Sequence, residues 1–262
     1  MSVFHNLHGQ VAHVTGAGSA HGIGFAIARA LAEDGAAVVL SSTTERIDER
    51  VAELVGEGHA ATGVVADLMQ AGSSERVVAT ALEVAGRLDI CVNNAGMIAV
   101  GMDGTAADLE DTTDAEWHDA IQRNLTTCFA VTRAAVTIMR RHGYGRIINI
   151  ASTSGPVQAF HGDVAYHAAK AGMLGLTRAV ALETAGAGIT CNAVAPGWIG
   201  TDSQLPGEQV AGSLTPMGRS GTPLEIASAV RYLADPTASY ITGQLLVIDG
   251  GNSLPEDRSW RP

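Results

Sequence analysis

The chain has 262 residues, 46% hydrophobic and only 16% charged, enough apolar material to bury a substantial core as one domain. A net charge of −11 argues against nucleic acid or an anionic membrane as partner, since both need basic surface, and no apolar run approaches the ~18 residues of a membrane span. Three widely spaced cysteines (Cys91, Cys128, Cys191) read as buried free thiols in a reducing compartment, the nine histidines show no metal-ligand spacing, and the N-terminus shows no signal peptide, so a cytoplasmic protein without metal is expected.

In chain order, short apolar runs alternate with longer helical stretches. Strands are predicted at 11–15, 37–41, 60–66, 88–93, 146–151, 189–194 and 245–248. Helices are predicted between them at 22–33, 44–55, 73–85, 114–141, 163–185 and 223–234, with Thr113 or Asp114 able to cap the fourth. Strands apolar on both faces and strictly alternating with helices imply a parallel sheet covered on each side. Right-handed crossovers then give an α/β, doubly wound Rossmann fold of seven strands, in a single domain covering residues 1–262. The segments 97–113 and 198–222 are the only long irregular stretches, and such loops in compact domains tend to be functional.

Two patterns carry chemistry. The first strand runs into Thr15-Gly16-Ala17-Gly18-Ser19-Ala20-His21-Gly22-Ile23-Gly24 and then a helix. Glycines there let the backbone turn sharply and approach a pyrophosphate, which the amides at the helix N-terminus would meet. Farther along, Lys170 is the only lysine among the 16 Lys and Arg residues, and it follows Tyr166 by four positions. With four tyrosines in the chain, a lone lysine lands at that offset by chance about 1 or 2 times in a hundred. On a helix this spacing sets the ammonium beside the phenol, where a fixed cation favours the phenolate.

With these features the chain resembles the short-chain dehydrogenase/reductase family along nearly its whole length. Thr15, Gly16, Gly22 and Gly24 follow the order of the family's T-G-x-x-x-G-x-G, with two extra residues between Gly16 and Gly22; Gly18 would restore the spacing, and Gly16, at the strand end, is the expected lead glycine. Asn93-Asn94-Ala95-Gly96 matches its N-N-A-G, Asp67-Leu68 its adenine-binding pair, and Pro196-Gly197-Trp198-Ile199-Gly200-Thr201 its P-G-x-x-x-T segment at the nicotinamide carboxamide. The resemblance implies cofactor contacts from Gly16, Ser19, His21, Gly22, Ile23, Gly24, the second-strand hydroxyls Ser41, Ser42 and Thr43, and from Asp67, Leu68, Asn94, Ala95, Gly96, Tyr166, Lys170, Pro196, Gly197, Ile199 and Thr201. It implies a catalytic set of Asn124, Ser152, Tyr166 and Lys170: tyrosine as general acid/base, lysine lowering its pKa and holding the ribose, serine on the carbonyl oxygen, and asparagine anchoring a relay water. Ser152 precedes Tyr166 by fourteen residues against the family's twelve or thirteen, so Ser154 competes; the I-N-I-x-S alignment favours Ser152, with the extra residue within 155–163. His161 and His167 are expected to be non-catalytic.

An NAD-preferring site offers a carboxylate after strand two, and positions 41 to 44 carry none, so NADP(H) is expected over NAD(H), with His21 or Arg46 supplying positive charge and Glu45 facing solvent. The expected substrate pocket is apolar: Met97, Ile98, Val157, Phe160, Trp198, Leu205, Leu214 and Met217. The expected reaction interconverts a ketone, such as a 3-oxoacyl compound, and a secondary alcohol. Alternatives are a dedicated 3-oxoacyl-carrier-protein reductase using Arg140 and Arg141, an NAD-dependent alcohol dehydrogenase, a non-catalytic cofactor sensor, and an enoyl reductase, whose branch spaces Tyr and Lys more widely. The resemblance also implies a homotetramer.

Overall fold

The computed structural model describes residues 6–96 and 108–257. Seven strands form one parallel sheet in the order β3-β2-β1-β4-β5-β6-β7: β1 (Val11–Thr15), β2 (Ala37–Ser42), β3 (Ala61–Val65), β4 (Ile90–Asn93), β5 (Gly145–Ile150), β6 (Ile189–Pro196) and β7 (Leu245–Ile248). Every residue of β1, β4, β5 and β6 is buried, as expected of central parallel strands covered on both faces.

One face is covered by α1 (Ile23–Glu33), α2 (Arg46–Gly56) and α8 (Pro223–Ala234), whose Phe25, Leu31, Ile47, Leu54 and Ile226 share a core with Val14, Leu40 and Ile148. The other is covered by α3 (Ser73–Ala85), α5 (Thr127–His142) and α6 (Val164–Thr184), whose Val77, Val131, Met139 and Ala181 pack on Val39, Cys91 and Ile147. This is the doubly wound Rossmann architecture, and the strand order reverses between β1 and β4, where open α/β sheets place their ligands.

Two departures from the expected elements bear on function. The stretch predicted as one helix over 114–141 is α4 (Asp114–Ile121), a π-helical turn Gln122–Thr126, and α5. Thr113 opens α4 with a capping box to Glu116. The π turn holds Asn124, whose Nδ2 donates to Ala120 O at 3.1 Å; such bulges in helices frequently mark functional sites. The stretch 198–222 also contains a helix, α7 (Pro206–Ser213), started by Pro206 at its first position and by Glu208, which accepts from the Leu205 amide at 2.8 Å.

His13 lies fully buried in β1, with Nε2 3.2 Å from Ser41 Oγ and Nδ1 without a partner. Burial lowers its pKa from 6.5 to about 4. Above pH 6.5 the imidazole is neutral folded and unfolded and contributes no pH dependence. As pH falls towards about 4 the unfolded chain takes up a proton that the folded chain refuses, so stability drops, by about 3 kcal/mol in full. His13→Gln, which keeps a partner for Ser41, should therefore flatten the acid limb of stability between these pH values, measured by urea unfolding at stepped pH.

Candidate active site

The C-terminal ends of β1 and β4 are stitched together. Thr15 Oγ1 accepts from the amides of Asn94 at 2.9 Å and Ala95 at 2.8 Å, and Asn94 Nδ2 donates to Thr15 O and Gly16 O, each at 3.0 Å. Side chains have no room in this crossing. A Cβ on Gly16, whose φ is +68°, would lie 2.8 Å from Ala95 Cα, and one on Gly24 would lie 2.5 Å from Gly16 O. Gly16 thus sits at the strand end as expected, and residues 17 to 21 bulge beyond it, with Gly18 against Ser42. Helix α1 begins at Gly22 with no side-chain cap and no acid in its first turn, leaving its N-terminal amides and dipole available to an anion.

These residues fit a dinucleotide, because the glycines make a cradle that any Cβ would fill. Around it, Asp67 accepts from the Met69 amide and from Gln70 in its own turn, and Leu68 packs on the core. Gly197 follows Pro196 so close to Asp249 that a Cβ would lie 2.7 Å from that side chain. Ile199 turns its side chain into the core, leaving its backbone, while Thr201 Oγ1 lies 3.0 Å from Ser203 Oγ. One expectation is corrected here. The Ser41 hydroxyl is buried and paired with His13, because its strand position faces the sheet interior, so it does not join Ser42 and the exposed Thr43 as a phosphate-facing hydroxyl. Glu45 is exposed, as expected, at the start of α2.

The structure brings Ser152, Tyr166 and Lys170 together. Ser152 follows β5; its Oγ accepts from the Ser154 amide at 3.0 Å, and its hydroxyl acts to lower the pKa of Tyr166. Ser154 contributes its backbone amide to this turn. Tyr166 stands in the first turn of α6, whose N-cap Asp163 accepts from the Tyr166 amide at 3.2 Å. Lys170, one turn on, is buried, lies 5.5 Å from the centroid of the Tyr166 ring, and donates from Nζ to Ile150 O at 3.1 Å. Asn124 is buried with an unpartnered Oδ1, and a Cβ on Gly96 would lie 2.8 Å from it.

The electrostatics differ from the expectation that Lys170 holds the tyrosine down. Burial pushes Tyr166 up to about 12; the Ser152 hydrogen bond opposes this, and the charges of Asp163 and Glu208 add to it. Burial likewise lowers Lys170 to about 8, partly offset by Cys128. Desolvation is the largest cause at both groups and disfavours the charged form of each, and the ammonium is committed to Ile150 O.

The flanking histidines have partners of their own. His167 Nδ1 donates to Asp163 O at 2.8 Å and Nε2 accepts from the Phe160 amide at 3.2 Å, fixing the neutral tautomer, while the exposed His161 approaches Asp108. Of the expected pocket, Met97 and Ile98 lie outside the described residues. Phe160 packs edge-on to His167 with centroids 4.4 Å apart, and Val157, Leu205, Leu214 and Met217 expose apolar surface. Trp198 lines a cavity of about 70 Å³ with Ile199, Met217, Ile248 and Gly250 at the base of the 198–222 segment. Asp202 was not foreseen; it bonds Ser19 and His21 across the glycine-rich turn.

The family profile described as Enoyl-(Acyl carrier protein) reductase matches residues 16–253. The 3-oxoacyl-[acyl-carrier-protein] reductase of Vibrio harveyi is 41% identical over 250 residues, covering 94% of this chain and 98% of its own. A mutant of a Serratia marcescens short-chain dehydrogenase/reductase superposes with a TM-score of 0.85 at 33% identity, covering 94% of this chain and 99% of that one. A Beutenbergia cavernae protein provisionally assigned as an NAD(P) dependent gluconate 5-dehydrogenase, with NADP bound at low occupancy, superposes with a TM-score of 0.85 at 38% identity over 94% and 98%.

Folding stability reports on the buried amine. With Lys170 at about 8 in the fold against 10.5 outside it, stability is lost as pH falls between those values, and at neutral pH the full cost of about 3 kcal/mol is present. The hydrogen bond to Ile150 O returns about 1 kcal/mol. Lys170→Met should therefore stabilise the fold by about 2 kcal/mol in denaturant titration at pH 7 while abolishing turnover.

Proposed function

The chain belongs to the short-chain dehydrogenase/reductase family, and we propose that it is an NADP(H)-dependent oxidoreductase interconverting a ketone and a secondary alcohol, with Tyr166 as general acid/base. The observation that carries this reading is the buried amine of Lys170, 5.5 Å from the centroid of the Tyr166 ring and bonded to Ile150 O two residues before Ser152. The nicotinamide would supply the hydride, and this chain's residues place the carbonyl and move one proton. Ser152 and Tyr166 donate to the carbonyl oxygen as negative charge develops there. A phenol pushed up to about 12 keeps its proton at neutral pH, the state a general acid needs for reduction. Lys170, protonated below about 8, then sets a positive charge close to the phenolate left behind. The free Oδ1 of Asn124 suits a water that returns the proton.

The cradle of Gly16, Gly22, Ile23, Gly24, Asn94, Ala95 and Gly96 would hold the pyrophosphate side of the cofactor, and Asp67, Leu68, Pro196, Gly197, Ile199 and Thr201 its two ends. NADP(H) over NAD(H) is supported by the absence of an acid at 41 to 44, by Ser42 and Thr43, and by Arg46, whose Nε donates to Thr44 Oγ1 at 3.2 Å. The NADP bound to the Beutenbergia cavernae relative agrees with it.

The substrate reading is a carbonyl compound with an apolar body, supported by Val157, Phe160 and Leu205 and by the acids Asp163 and Glu208 near Tyr166, which disfavour an anionic head group. A carrier-protein-linked 3-oxoacyl thioester is the second reading, favoured by the Vibrio harveyi relative and by exposed Arg140 and Arg141 at the end of α5. An enoyl substrate, named in the profile description, fits less well, because Tyr166 and Lys170 stand one helical turn apart. The exposed Phe129 on α5 and Leu182 on α6 suit a homotetramer built on those helices, and the three buried free thiols suit the cytoplasm.

Tyr166→Phe should lower kcat by ~10²-fold or more and leave the Kd for NADPH unchanged, and a fully active variant would refute the assignment. Wild-type turnover of a 3-oxoacyl thioester mimic, its carrier-linked form and the matching enoyl thioester should favour the free mimic with NADPH. A large preference for the carrier-linked form, for the enoyl compound or for NADH would each replace the corresponding part of the reading.

A further inference from the structure

Two exposed segments some 180 residues apart in sequence are tied to each other where the cofactor reading puts phosphates. Asp202, just past the end of the Pro196–Thr201 motif, accepts from Ser19 Oγ through Oδ2 at 3.0 Å and from His21 Nδ1 through Oδ1 at 2.9 Å. Ser19 and His21 belong to the bulge that lengthens the glycine-rich turn between Gly18 and Gly22. The turn presses on the end of β2 through Gly18 and Ser42 at one side and becomes the uncapped N-terminus of α1 at the other. Both donors therefore stand in the space where an anionic ligand would lie, and an anion from the chain itself has taken them. Ser19 first, then His21, hold the Asp202 carboxyl below its usual range.

We propose that Asp202 is a positioning residue that occupies a phosphate subsite of the cofactor, so that a dinucleotide must displace its carboxylate from Ser19 and His21 to bind. A carboxylate and a phosphate oxygen ask for the same donors, so the exchange needs no rearrangement beyond a rotation of the Asp202 side chain and its loop. The pair is exposed, with 76% of the His21 side chain and 56% of that of Asp202 accessible, so it is weakly held and open to displacement. A ligand phosphate would add the α1 amides, which the Asp202 contacts do not use. The displaced carboxylate lies four residues before the start of α7, the helix that carries Glu208, whose charge reaches Tyr166.

This inference rests on the nucleotide reading, and one titration separates the two. Binding of NADPH and NADH to the full-length protein is measured by nicotinamide fluorescence for the wild type, Asp202→Ala, and Asp202→Ala combined with His21→Ala. Asp202→Ala frees both donors and removes a like charge, so it should tighten binding by about threefold to tenfold, and the added His21→Ala should cancel most of that gain. A gain for NADPH alone identifies the subsite with the 2′-phosphate; an equal gain for both identifies it with the pyrophosphate. Wild-type binding with an unchanged or weaker Kd in Asp202→Ala would overturn the displacement alone. A wild type that binds neither dinucleotide would overturn the nucleotide reading and this inference with it.

Discussion

The hydrogen bond from Lys170 Nζ to Ile150 O joins the two elements on which the site depends. It ties the middle of the first half of α6 to the last residue of β5, and it fixes how far Tyr166 stands from Ser152, which leaves the sheet two residues later. A lysine in this place is a thermodynamic liability, since burial lowers it towards about 8. No apolar residue could both donate to the strand-end carbonyl and present a positive charge beside a phenol. The only ammonium side chain in the protein is spent here, while arginine serves every other cationic position. Stability and chemistry therefore pull against each other at one residue, as is common where a site needs a buried charge.

The nucleotide side of the cleft is organised by backbone. Thr15 and Asn94 spend their side chains on each other's strands, so the ends of β1 and β4 are held at a fixed separation without bulky groups. Gly16 and Gly24 then let helix α1 approach that junction more closely than any Cβ would permit. Strand ends fixed by the sheet and loops beyond them give the division of labour expected at a topological switch point: the sheet sets positions, and the segments Ser19–His21 and 198–222 supply side chains around them.

Much of this was legible in the sequence because the relevant signals are local. Apolar runs gave all seven strands to within two residues, and the offset between Tyr166 and Lys170 on a predicted helix placed two of the site residues on one face. What escaped depended on distant partners. Ser41 reads as a ligand hydroxyl until the opposing His13 is known, and Asp202 reads as an ordinary surface acid until Ser19 and His21 come to lie against it. The π turn at Asn124 left no mark, because its helical periodicity continues on both sides. Helix α7 did leave one: Pro206 followed by Glu208 is a helix-start pattern inside a segment read as irregular. The sequence displays the cation beside the phenol and hides the desolvation, which raises the pKa of Tyr166.

The fourteen-residue interval between Ser152 and Tyr166 carries the chain from the end of β5 into α6. After Ser152 the chain must turn back on itself before α6 starts. Three residues take left-handed backbone to do so: Gly155 at φ +98°, Gly162 at +84° and Asp163 at +53°. Gly155 has no alternative, because a Cβ there would lie 2.3 Å from His167 O. Asp163 is the only non-glycine residue with positive φ among those described, and aspartate tolerates that region better than most side chains. It also caps the helix through the Tyr166 amide, so the residue that accepts the strain is the one that orients the tyrosine. His167 closes the arrangement, holding Asp163 O and the Phe160 amide from one ring, and the lengthened loop is thereby pinned at its far end to the same turn of helix that carries Tyr166. The span between these pins carries the chain from Ser152 to the first turn of α6, where Asp163 and His167 hold it.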